Sequence, residues 1–174
     1  MKNILYVISA LVFLSCNQPI QNKSVSIIDS LSIIIQTDSS NFDALNQRAH
    51  ILLKKGELRL AKNDIDHAYF LFKQDVDILL NRAQIYYELN ETRIAKESWE
   101  RCLKIDPNNI QCRKKLTELL CLVMDPKCHS MIDTLALINN SVLDVSFIVY
   151  LKEMKDYDLA IELLGNINDS INKE

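Results

Sequence analysis

Glycine and proline are scarce in this chain of 174 residues, two and three respectively. Both punctuate turns, so turns must be few and helices must dominate. A basic excess is missing too: 20 Lys and Arg stand against 23 Asp and Glu, net −3. That balance argues against an extended nucleic-acid surface. The chain lacks a glycine-rich phosphate loop, a serine nucleophile elbow and a helical His-Glu-x-x-His zinc motif, so no catalytic equipment is visible. The apolar run from Ile4 to Leu14 has eleven residues, too few to span a bilayer as a stable helix.

What is present is a spacing written twice. Leu45, Arg48, Ala49, Leu52, Gly56, Ala61, Ile65 and Ala68 recur as Leu79, Arg82, Ala83, Tyr86, Asn90, Ala95, Trp99 and Cys102, 34 residues on in every pair. A period of that length with helical spacing inside each copy marks a helix-turn-helix array. Small residues fall where helices approach closely, and Leu45, Leu52, Ile65, Leu79, Tyr86 and Trp99 fill the space between them. The pattern resembles the tetratricopeptide repeat (TPR) family. The resemblance implies an all-α, right-handed superhelical solenoid of antiparallel helix pairs, about four repeats with the first and third degenerate.

The array is expected over 25–166. Ile27, Ile28, Leu31, Ile34 and Ile35 mark one helical stripe, expected to be the second helix of a degenerate first repeat. Repeats follow at about 42–75, 76–109, 110–140 and 141–168. Gly56 and Asn90 suit the corner within each copy, where a positive φ is needed. In the third repeat Asp125-Pro126-Lys127-Cys128-His129 replaces the usual corner, and a short second helix is expected near 131–138. A polar tail, 167–174, closes the chain.

The first residues carry a second resemblance. Lys2, the apolar run and Phe13-Leu14-Ser15-Cys16 resemble a bacterial lipoprotein signal. That resemblance implies a signal peptide at 1–15, a lipidated Cys16 and a tether over 16–24, giving a membrane anchor without a span. The alternative is an ordinary cleaved signal with Cys16 incidental. Asn17, with no acidic cluster after it, resembles lipoproteins held on the periplasmic face of an outer membrane.

On the TPR pattern the first helix of each repeat lines a concave groove. Groove-facing positions are Asn46, His50 and Leu53, then Leu80, Gln84 and Tyr87, then Lys114, Glu118 and Cys121, with Asn81 and Lys115 alongside. Such a mixture suits an extended peptide or a partner helix. One TPR subset grips carboxylate tails with a lysine, asparagine and arginine constellation. Here Asn81 and Lys115 match, whereas Asn46, His50 and Gln111 replace the other three, so that activity does not carry over.

Arg48 and Arg82 occupy a usually apolar position, and in a similar TPR sub-pattern such arginines pair with an aspartate like Asp64. A structural ion pair among Arg48, Asp64 and Arg82 is expected rather than catalysis. Cys102, Cys112, Cys121 and Cys128 admit disulfides if the protein is exported, or else remain core residues and free thiols. Cys121, Cys128 and His129 match no zinc pattern, and Asp125 stands where haem attachment needs a cysteine. His50 and His67 lack metal-ligand partners. No cofactor and no metal is expected. The functional expectation is a membrane-anchored, non-catalytic interaction or assembly scaffold. The alternative is a small-ligand- or metal-binding accessory to an envelope enzyme, using the 121–129 corner.

Overall fold

A computed structural model describes residues 26–139 and 142–171. The expected signal peptide, Cys16 and the tether lie outside the described residues. Within them the chain forms α1 (Ile27–Thr37), α2 (Phe42–Lys54), α3 (Leu58–Leu71), α4 (Val76–Glu88), α5 (Thr92–Ile105), α6 (Ile110–Leu122), α7 (Lys127–Asn139), α8 (Val145–Glu153) and α9 (Tyr157–Ile171). Consecutive helices pack as neighbours from α1 to α7, α8 packs on α9, and α2 also meets α4 while α6 meets α8. First helices therefore line up along one layer, and the others form a second. No described helix is long and apolar enough to cross a membrane.

The 34-residue period is written into the backbone as well as the side chains. Asn41, Asp75 and Asn109 cap α2, α4 and α6, each accepting from the amide three residues on, at 2.9, 2.8 and 2.9 Å. Side-chain oxygens at these positions satisfy donors that the first helical turn leaves open. Corners recur in the same way. Gly56, Asn90 and Met124 hold φ of 76°, 62° and 55°, and Lys155 follows at 64°. At each corner the next amide returns to the helix: Glu57 to Leu52, Glu91 to Tyr86, Asp125 to Leu120 and Asp156 to Leu151, at 2.8–2.9 Å. Such bonds satisfy carbonyls at a helix C-terminus.

Two expectations change here. The third corner is not replaced: Met124 takes the left-handed conformation, and Asp125-Pro126 follows the turn rather than forming it. Consequently α7 starts at Lys127 and runs 13 residues, longer than the segment near 131–138. The tail also differs, since α9 continues to Ile171; Ile167 and Ile171 extend the helical spacing that begins at Ile161 and Leu164.

Packing follows the small-and-large pattern. Ala49, Ala61, Ala68, Ala83 and Ala95 are wholly buried, as are Ile65, Leu79 and Trp99. One core joins α1 to α4, a second gathers around Trp99 between α4 and α6, and a third closes α6 to α9. No repeat buries its apolar face alone, so stability is shared across neighbours.

Candidate functional site

A cleft of about 770 Å³ opens on the layer of first helices. From α2 it takes His50, Leu53 and Lys54; from α4, Leu80, Asn81, Gln84 and Glu88; from α6, Gln111, Lys114 and Lys115. Gly56 and Leu58 close it at the first corner. Three helices contribute because residues 34 apart stand side by side across the array: Leu80 and Lys114 are one such pair.

Polar side chains in and beside the cleft hold one another. Asn81 Nδ2 donates to Asn46 Oδ1 at 2.8 Å, and His50 Nδ1 lies 3.0 Å from Asn81 Oδ1. That chain locks α2 to α4. Gln84 donates to Glu88 at 2.8 Å. Lys115 reaches Glu118 at 2.8 Å, and Lys114 donates to Asp144 Oδ2 at 2.8 Å. Asp144 in turn caps α8, accepting from the Ser146 amide at 3.0 Å. Burial works to raise the Asp144 carboxyl, but the hydrogen bonds from Lys114 and Ser146 outweigh it and hold the group below its usual range.

Not every expected groove residue lines the cleft. His50, Leu53, Leu80, Asn81, Gln84, Lys114 and Lys115 do. Asn46 supports Asn81 from the side, and Glu118 supports Lys115. Tyr87 is displaced: it packs on the Trp99 core, ring centroids 5.8 Å apart. Cys121 is buried, at 2% exposure. Its bond to Cys128 turns it away from any ligand. Lys54, Gln111 and Glu88 belong to the lining but escaped the groove assignment. Lys54 and Glu88 are the last residues of α2 and α4, one place beyond Leu53 and Tyr87, where the expected groove positions stop.

The arginines show a regularity that their spacing only half reveals. Arg48 binds Asp64 through two bonds of 2.7 Å and donates to Ser32 at 3.0 Å. Arg82 does not join Asp64; it donates to Ser98 at 2.7 Å and lies 3.6 Å from Asp66. Since Ser32 and Asp66 are 34 apart, as are Asp64 and Ser98, each arginine meets one carboxylate and one hydroxyl in exchanged places. Arg82 also lies over the rings of Tyr69 and Tyr86, at 4.4 and 4.8 Å. Hydrogen bonding to Asp64 raises the already high pKa of Arg48.

The sulphurs form two bonds, Cys102 to Cys112 and Cys121 to Cys128, with Cα separations of 6.5 and 4.9 Å. They tie α6 to α5 at one end and to α7 at the other. Neither Cys121 nor Cys128 is then a thiolate for a metal, and among the described residues no three His, Cys, Asp or Glu gather as a metal site. His129 instead lies 2.8 Å from Asp156, joining the third corner to the fourth. His67 is exposed on α3.

Comparison with known proteins places this geometry in a class. The tetratricopeptide repeat family matches residues 76–109. Among solved structures, MamA superposes with a TM-score of 0.76 at 12% identity, over 84% of this chain and 87% of that one. A tetratricopeptide repeat protein from Parabacteroides merdae ATCC 43184 gives 0.72 at 19% identity, over 84% and 60%. YrrB, described as a TPR protein with an unusual peptide-binding site, gives 0.70 at 15%, over 82% and 75%. No curated protein matches the sequence. Residues 76–109 thus match a tetratricopeptide repeat, and the described residues share the all-helical solenoid fold of these structures.

Proposed function

We infer that the protein is a non-catalytic scaffold whose cleft across α2, α4 and α6 holds an extended segment of a partner protein. The observation that carries this is the cleft itself: about 770 Å³, with Leu53, Leu58 and Leu80 beside amides, lysines and a histidine. Apolar contact with a few placed polar groups is what a peptide site needs. The fold is one for protein interaction, and YrrB, a structural neighbour, is described as having a peptide-binding site. Pull-down from cross-linked envelopes is the test. His50→Ala/Lys54→Glu/Gln111→Glu alters three exposed cleft residues and should lose the partner; an unchanged partner list would refute the cleft assignment.

The same reading places the scaffold in a bacterial cell envelope, held by lipid on Cys16 at the periplasmic face of the outer membrane. Support comes from the lipobox-like Phe13-Leu14-Ser15-Cys16 and from two buried disulfides, which persist in oxidising compartments. Radiolabelled palmitate should enter the wild-type chain and not Cys16→Ser. Label in both would rule that anchor out.

A further inference from the structure

The corners that join the helix pairs are equivalent in backbone but not in surface. Their tips read Lys54-Lys55-Gly56, Glu88-Leu89-Asn90, Leu122-Val123-Met124 and Glu153-Met154-Lys155. Three of them carry charged side chains. The third is apolar throughout and stands in solvent, with Leu122, Val123 and Met124 exposed by 54%, 61% and 60%. Exposed Pro126 follows. A folding requirement does not explain the run, because the polar corners make the same turn, and Met124 holds a φ of 55° that asparagine or glycine accepts more readily.

The tip is held rigid at its base. Cys121 and Cys128, both buried, are bonded across it, and Asp125 returns an amide to Leu120 at 2.8 Å. Cations surround it. Val123 shares a small cleft with Arg93 and Lys96, and exposed Lys127 opens α7. Arg93 pairs with Glu97 at 2.7 Å and Lys96 lies 3.9 Å from Asp125, the residue after the tip, yet the Arg93 side chain remains 80% exposed. Long basic side chains around an apolar tip suit a headgroup layer above acyl chains.

We propose that the Leu122-Val123-Met124 tip inserts into an anionic lipid surface. Size favours lipid over protein: the tip presents on the order of 300 Å², against the roughly 800 Å² that each partner gives a standard interface. A small exposed apolar corner is better covered by a fluid surface, which needs no matching pocket. The contact orients the solenoid on the membrane while the cleft stays open to solvent, and it stands independently of any acyl anchor and of what the cleft binds.

Tryptophan quenching in the full chain tests this. Val123→Trp is compared with Lys55→Trp, the residue 68 positions earlier at the equivalent place in the first corner. The one native tryptophan, Trp99, is buried and gives a constant background. Each variant is bound to vesicles of phosphatidylcholine and phosphatidylglycerol with brominated acyl chains, and circular dichroism verifies its helicity. Emission from Val123→Trp shifts to the blue and is quenched; Lys55→Trp is unchanged. No quenching at position 123, or equal quenching at both positions, overturns the proposal. Should position 123 respond only when envelope protein is added, the tip belongs to a protein partner and the lipid assignment falls.

Discussion

Arg48 and Arg82 face the same problem, a guanidinium wedged between neighbouring helices, and meet it with exchanged partners. Arg48 takes its carboxylate from its own repeat, Asp64; Arg82 takes it from the repeat before, Asp66. The third repeat drops the ionic solution, with buried Leu116 and Ile132 at the corresponding places. Buried pairs contribute little net stability over apolar residues but are costly to break by half. Asp64 is 7% exposed, so Asp64→Asn should cost about 1–3 kcal/mol in urea unfolding. Arg48→Leu/Asp64→Ile, which copies the third repeat, should cost less than that single change. Asp144 gives a prediction in pH. Its carboxyl is held low in the fold, so its contribution is present above the unfolded-state value of about 3.9 and is lost as pH falls through the folded value. Amide protection in α8 should therefore weaken as pH falls through that value in the wild type, whereas Asp144→Asn should remove this pH-dependent component, as followed by amide exchange in α8. The pairing of Arg48 with Asp64 was legible through the resemblance to a TPR sub-pattern. The exchange at Arg82 was not, since Ser98 carries no charge to mark it.

Corners and staples act at the scale of elements. Gly56 has a φ of 76° and open space where a Cβ would sit, so Gly56→Ala carries a conformational cost alone, about 1 kcal/mol. Met124→Gly at the matching corner should be neutral or stabilising by up to about 1 kcal/mol, the left-handed strain being offset by glycine's greater unfolded-state entropy. Thermal melts of the two variants moving in opposite directions would support one shared corner geometry; both falling would contradict it. Losing the Cys102 to Cys112 bond through a double alanine change should cost about 2–3 kcal/mol on the loop-entropy account. Helix positions were readable wherever a cap and a corner coincide with the 34-residue period. They were misread after Met124, because a methionine in the left-handed region leaves no sequence signature and Asp125-Pro126 drew attention to itself. The length of α7 was lost with it.

At the scale of the whole molecule, the array is a fold whose chemistry is spread over several helices. A cleft is formed because the first helices of three repeats stand in register, and its lining shifts from Asn81 and Gln84 on α4 to Lys114 and Lys115 on α6. Most of that lining followed from the resemblance to the TPR pattern; Tyr87, expected in the groove on the same pattern, packs toward Trp99 instead, which only the folded structure shows. Peptide recognition in the cleft is the central claim, and site-specific photo-cross-linking in cells tests it most directly. A photoreactive residue at Gln84, inside the cleft, is compared with one at His67, exposed on α3 and outside it. The account predicts discrete partner adducts from position 84, abolished by His50→Ala/Lys54→Glu/Gln111→Glu, and none of those adducts from position 67. The same adducts from both positions, or adducts from position 67 alone, would contradict it.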